Sequence, residues 1–265
     1  MSYRRLMIKA VVAVALAAPG AALAQDHAAH HAPAAAATAS IPAYVLAAVA
    51  DPARPPADVA RDPLRKPGEM LAFADLKPGA VVGELLPGGG YFTRLIAKTV
   101  GPQGRVYAII TQGQAGGPKP PAVNAIAADP VYGNVKVVAA DPAALNLPEA
   151  VDLVWTSLNY HDLHLTRLNL DVAAVDRAVF AALKPGGLFI VIDHAAAPGT
   201  GLEIPDKLHR IDPAIVRREV EAAGFKLEAE SAALRNPADD HTVSAVDPAI
   251  RGHTDQFVYK FRKPR

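Results

Sequence analysis

Between Ser157 and His164 the chain reads SLNYHDLH, a short stretch carrying two histidines, an aspartate, an asparagine and a tyrosine. Three further groups of similar chemistry follow: Asp193-His194, His209-Arg210 and Asp239-Asp240-His241. Imidazole has an unperturbed pKa near neutrality, so His161 is the candidate general base. The same groups suggest metal binding. His161-x-x-His164 with Asp193, His194, Asp240 and His241 offers nitrogen and oxygen ligands for a divalent ion, and a metal-dependent hydrolase would follow. No HExxH helix signature accompanies them, and the i, i+3 spacing of two histidines is a weak signal. We therefore place this reading second and assign no metal ligands.

Groups so far apart in sequence can meet only if the chain lays them along one edge. After Pro78, apolar runs alternate with helical patterns. Strands are expected at 80–86, 105–110, 134–140, 151–158 and 188–194, and helices at Tyr91–Val100, around Pro121–Ala128 and at Leu170–Leu183. Asp212-Pro213 supplies a helix N-cap with proline at the first position, and Gly224 a stop. The last strands are 225–231 and 256–262, joined without a helical pattern, which suits an antiparallel pair. The early strands are apolar throughout, as strands covered on both faces must be. The expected architecture is α/β: a seven-stranded sheet, mostly parallel with a reversed last strand. Residues 41–75 form an N-terminal helical cap, broken by prolines, whose run Arg61-Asp62…Arg65-Lys66 reads as a solvated face.

The whole chain narrows the choices. It has 265 residues, enough for one sizeable core, and no cysteine, so thiolate metal sites and disulfides are excluded. Residues 1–24 have a basic start, a short apolar run and an Ala22-Leu23-Ala24 cleavage site, the pattern of an export signal. The run is too short to span a bilayer. The Arg4-Arg5 pair suits twin-arginine export as well as an ordinary basic start. A soluble periplasmic protein with no stable membrane insertion is expected. Removing this segment takes away Arg4, Arg5 and Lys9 and leaves a slight acidic excess, so nucleic acid is not an expected partner. Residues 25–40 are a low-complexity linker in which His27, His30 and His31 are incidental.

The stretch Glu84-Leu-Leu-Pro-Gly-Gly-Gly-Tyr-Phe-Thr93 lies between the first strand and its helix. Three consecutive glycines need a reason, because each loses more backbone entropy on folding than any other residue. In an open parallel sheet ligands settle beyond the strands' carboxyl ends, and glycines there let the backbone approach them. With its Gly-rich turn, the segment from about Leu76 to Phe261 resembles class I S-adenosylmethionine-dependent methyltransferases, which have a Rossmann-like sheet. More narrowly, PGGGYFT, NYHDLH, LHRID, NPADDH and TDQFVYKF resemble a family of exported, predicted methyltransferases. The resemblance implies S-adenosylmethionine as cofactor and a small-molecule acceptor. It implies cofactor contacts at Glu84, Pro87, Gly88, Gly89, Gly90, Asp141 and Asn159, with Leu86 replacing the first glycine. His161 becomes the base, helped by Asn159, Tyr160 and His194. One departure stands out. The family ends strand two with a carboxylate for the ribose hydroxyls, whereas this strand ends Ala108-Ile109-Ile110-Thr111, leaving Thr111 or Gln112 to compensate. Loss of one charge-assisted hydrogen bond costs about 1.5–3 kcal/mol. A small-ligand-binding protein without catalysis therefore remains a third reading.

Overall fold

A computed structural model describes residues 40–265. The expected signal segment and all but the last residue of the linker lie outside the described residues.

Four short helices come first: α1 (Ala43–Val49), α2 (Pro56–Val59), α3 (Asp62–Arg65) and α4 (Pro67–Phe73). Prolines 56, 63 and 67 each sit in the first turn of a new helix, where a missing amide hydrogen costs nothing. Strand–helix alternation then follows through β1 (Val81–Leu85), α5 (Tyr91–Val100), β2 (Arg105–Thr111), α6 (Gln112–Ala115), α7 (Ala122–Ala128), β3 (Val135–Ala140) and β4 (Val151–Ser157). It closes with α8 (Val172–Ala182), β5 (Leu183–His194), α9 (Ile204–Leu208), α10 (Pro213–Ala222), β6 (Lys226–Ser231) and β7 (Gln256–Arg262).

The sheet order is β3-β2-β1-β4-β5-β7-β6. The first five strands pair in parallel, and β7 runs antiparallel to both β5 and β6. The chain therefore leaves β1 toward β2 and β3, then returns to place β4 on the other side. That reversal opens a crevice past the carboxyl ends of β1 and β4.

Side-chain alternation divides the core into two layers. Val106, Ala108, Ile110, Trp155 and Ile190 face α5, α7 and the cap. Tyr107, Ile109, Val154, Phe189 and Phe261 face α8 and α10. Asp171 caps α8 by accepting from the Ala174 amide at 3.1 Å, and Asp212 caps α10 by accepting from Ala214 at 2.9 Å. The cap is fastened by Arg54, which reaches the Val49 carbonyl at 2.6 Å and both oxygens of Asp62. The Tyr91 hydroxyl donates to Asp62 at 2.6 Å, tying the cap to the start of α5.

One boundary differs from expectation. Strand β5 begins at Leu183, not 188, and takes in the Lys-Pro-Gly-Gly that lay between the expected helix and strand. Leu183 pairs with Val151, and a register shift before Leu188 takes up the extra residues. Gly186, at φ +79°, makes the irregularity possible, and its amide donates to the Lys263 carbonyl at 3.0 Å. Among the described residues no helix is long and apolar enough to cross a membrane.

Candidate functional site

A cleft of about 460 Å³ opens at the carboxyl ends of β1 and β4. Its floor is the Gly-rich turn; the end of β2, the loop after β4 and the cap form its walls. Leu86 and Leu158, the residues just past β1 and β4, both line it and both have left-handed backbones, at φ +53° and +61°. Each such non-glycine conformation costs about 1–2 kcal/mol. It persists because neighbours hold it. Leu86 donates its amide to the Ile109 carbonyl at 2.9 Å, and Leu158 to Ile192 at 2.8 Å. Asn159 Nδ2 donates to the Leu86 carbonyl at 2.6 Å, while its Oδ1 accepts from the Thr156 hydroxyl. Asn159 therefore braces one loop against the other at the cleft wall.

The three glycines divide their work. Gly88 and Gly89 line the cleft, and a Cβ on either would meet nothing within 4 Å. Gly90 faces inward. Its φ is +78°, and a Cβ there would run to 2.1 Å from Ile126 Cδ1. Gly90 thus starts α5 and packs the core, and the expected cofactor contact falls to its two predecessors and Pro87.

Glu84 lies under this turn, only 3% exposed, accepting from the Thr93 hydroxyl at 2.5 Å. Burial pushes its carboxyl up to about 8, against the opposing pull of Thr93 and Arg65. Glu84 is therefore neutral at pH 7. Arg61 and Arg65 reach the cleft from the cap, correcting the expectation of a solvated face. The Arg65 guanidinium lies 4.4 Å from the Tyr91 ring centroid and 4.9 Å from that of Phe92, and it donates to Ser157 Oγ at 3.1 Å. Burial brings Arg65 down to about 10, so it remains a cation. No local pattern in the sequence marked it, because its partners come from α5 and β4.

Thr111 lines the cleft, but its hydroxyl accepts from the Gln114 amide, and the Gln114 side chain returns to the Thr111 amide. The pair forms a capping box on α6. Gln112 turns to the Ala139 carbonyl at 3.0 Å. Asp141 is exposed and folds onto the Ala143 amide at 2.9 Å, leaving Pro142 to line the cleft. The carboxyl groups lining the cleft are those of Glu84 and Asp162.

The polar groups after β4 separate. Tyr160 is fully buried, and its hydroxyl donates to Asp176 at 2.8 Å, beside Glu219. His164 also turns to Glu219, at 3.0 Å. Neither residue lines the cleft. His161 is 3% exposed, with Nδ1 at 2.8 Å from Asp193 Oδ1 and its amide donating to Asp193 Oδ2 at 2.6 Å. Burial opposes its charge, but the Asp193 carboxylate outweighs burial and raises its pKa. His194 stands 5.7 Å away, ring to ring, with Nδ1 on Thr254 Oγ1 at 2.7 Å, and burial pushes it down to about 4. Both histidines stop short of the cleft. Asp162 lines it, with Oδ1 at 3.4 Å from His161 Nε2. The wider metal cluster considered from sequence does not assemble, since Asp240 holds Thr242 and His241 holds Asp255.

No protein-family model matches the chain. Solved structures do resemble it. A SAM-dependent methyltransferase from Aquifex aeolicus superimposes with TM-score 0.56 at 19% identity, over 77% of this chain and 93% of that one. The [4+2]-cyclase SpnF gives TM-score 0.53 at 18% identity, over 78% of this chain and 81% of that one. At such identities the likeness concerns the fold, and that fold carries more than one chemistry. With its strand order and reversed β7, the chain has the Rossmann-like fold of the class I SAM-dependent methyltransferases.

Proposed function

We propose that this protein transfers a methyl group from S-adenosylmethionine to a small-molecule acceptor. The observation that carries the reading is the cleft above Gly88 and Gly89, where bare backbone faces open space at the sheet's switch point. Its volume suits a ligand of nucleoside size. The residues that would hold the cofactor are Pro87, Gly88 and Gly89, with Asn159 bracing the turn and Thr111 and Gln114 at the end of β2. When bound, S-adenosylmethionine supplies an electrophilic methyl on a sulfonium. The missing carboxylate on β2 weakens that binding without closing the cleft.

The chain's own task is mainly positioning. Arg65, stacked on Tyr91 and Phe92, covers the cleft from the cap and limits water. An acceptor entering the cleft meets Asp162, the carboxylate that faces it beyond the turn, with the Asp193–His161 pair behind. His161 then serves as a positioning residue behind Asp162, in place of the direct base expected from sequence. With residues 1–24 acting as an export signal, the periplasm is the proposed location.

Calorimetry of the full chain with S-adenosylmethionine tests this. Saturable one-to-one binding is expected. Gly89→Val is expected to keep the thermal midpoint within a few degrees, because nothing lies within 4 Å of the new Cβ. The same change fills the cleft floor and should weaken binding by about tenfold or more, equivalent to about 1.4 kcal/mol. No saturable binding to the unmodified protein, or undiminished binding to Gly89→Val, would refute the proposal.

A further inference from the structure

We infer that His161, Asp162 and His209 hold a divalent transition-metal ion beside the cleft, with Asp193 fixing the His161 ring from behind. One ligand atom from each of the three residues lies within 4.8 Å of the others. Asp162 Oδ1 is 3.4 Å from His161 Nε2 and 3.7 Å from His209 Nδ1. Both separations are too long for a charge-assisted hydrogen bond, which closes to about 2.7–2.9 Å. They match a different geometry. Two ligands on one tetrahedral zinc, with bonds of about 2.0–2.1 Å, stand ~3.3 Å apart.

The surroundings agree. A carboxylate can only accept, so the 2.8 Å contact with Asp193 puts a proton on His161 Nδ1, and in the neutral ring Nε2, 3.4 Å from Asp162 Oδ1, is then the nitrogen that carries the lone pair. Carboxylate-backed imidazole is the usual support for a metal-bound histidine. His161 is 3% exposed, and its Nε2 has no partner nearer than Asp162 among the described residues. The Asp162 carboxylate has no hydrogen bond from any described residue. His209 is held in place by its backbone. It stands just past α9 in the left-handed region, at φ +49°, and its amide donates to the Pro205 carbonyl at 3.0 Å. Two residues on, Ile211 bridges to Ala195 beyond β5, which brings this segment to the edge occupied by His161. The two rings stand 5.5 Å apart at 88°. About a third of the His209 side chain is exposed, so its ring is free to turn onto an ion.

Two imidazoles and a carboxylate suit zinc or a similar ion, with remaining positions open to an oxygen ligand from the cleft. This set differs from the wider cluster read from sequence: His209 joins it, while His164, Asp240 and His241 do not. The site itself does not depend on methyl transfer. Only the identification of that oxygen ligand with the methyl acceptor would rest on that reading.

The test titrates Zn²⁺ and Co²⁺ into the full chain carrying His27→Ala, His30→Ala and His31→Ala, which removes the linker histidines as competing ligands. One equivalent should bind with micromolar or tighter affinity, Co²⁺ giving a visible absorption band. His209→Asn keeps a residue tolerant of positive φ and should weaken binding by about tenfold or more. Asp162→Asn should do the same, and His241→Asn should change nothing. Circular dichroism and thermal melts confirm that each variant is folded, and the partly exposed position of His209 keeps the test decisive if Asp162→Asn misfolds. Failure to take up one equivalent, or uptake indifferent to His209→Asn, overturns the site. Metal uptake without S-adenosylmethionine binding would leave this site standing and remove the methyl-transfer reading; the reverse result would do the opposite.

Discussion

Replacing Arg210 by alanine is expected to cost about 3–5 kcal/mol of stability, the range for breaking a buried ion pair. Arg210 and Asp239 both have fully buried side chains, joined by two hydrogen bonds of 2.8 and 3.0 Å. The same guanidinium donates to the carbonyls of Ala195 and Val243, each at 2.9 Å. Asp239 in turn accepts from the amides of Asp255, at 2.6 Å, and His241, at 3.0 Å. One side chain therefore gathers the end of β5, the start of α10 and the long connection between β6 and β7. Its removal leaves a carboxylate and two carbonyls buried without that donor. Urea denaturation should show a lower midpoint at an unchanged slope. The double variant Arg210→Met with Asp239→Leu should recover much of the loss, because it leaves no charge unpaired. A loss below about 1 kcal/mol for the alanine variant would contradict the burial seen here.

The second large effect is a dependence on pH. The Glu84 carboxyl moves from its ordinary 4.5 up to about 8, chiefly through burial. Between these values the unfolded chain has lost a proton that the native state keeps, so stability falls as pH rises through that window. Glu84→Gln retains an acceptor for the Thr93 hydroxyl and removes the titration. Its advantage over the natural protein should therefore be small near pH 4 and grow steadily to about pH 8. The difference is on the order of 5 kcal/mol at its limit. Thermal melts of both proteins from pH 4 to pH 9 check this, and parallel curves would show that Glu84 ionises normally. Because Glu84 is already neutral at pH 7, the glutamine variant should also bind S-adenosylmethionine within a few-fold of the natural protein. A large loss there would mean that binding draws the proton off.

Much of the scaffold could be read in advance because its signals are local. The continuous apolar run at Val106–Ile110, the Asp212-Pro213 cap and the glycines after β1 each follow from a few neighbouring residues and reappear in the structure. The site was less legible. Tyr160, His161 and Asp162 are consecutive, yet they go to a buried carboxylate cluster, to Asp193 and to the cleft. The turn at His161–His164 is a 3-10 helix, in which successive side chains point about 120° apart. A residue's type says what it can do; its angle on that turn says what it can reach. The same holds for Arg65, whose hydrogen-bond partner Ser157 lies 92 residues away.

Composition and short-range pattern alone determined a cysteine-free α/β chain with a parallel sheet, a reversed last strand and a Gly-rich turn at its first crossover. Tertiary structure decided the rest. It turned Gly90 into the core and left Gly88 and Gly89 facing the cleft, neutralised Glu84 by burial, drove Arg65 over the turn, and brought His209 to within reach of His161 and Asp162. The reason is one of range. Backbone preference and hydrophobic period act over a few residues, whereas desolvation and the meeting of charges depend on which distant segments the folded sheet brings together.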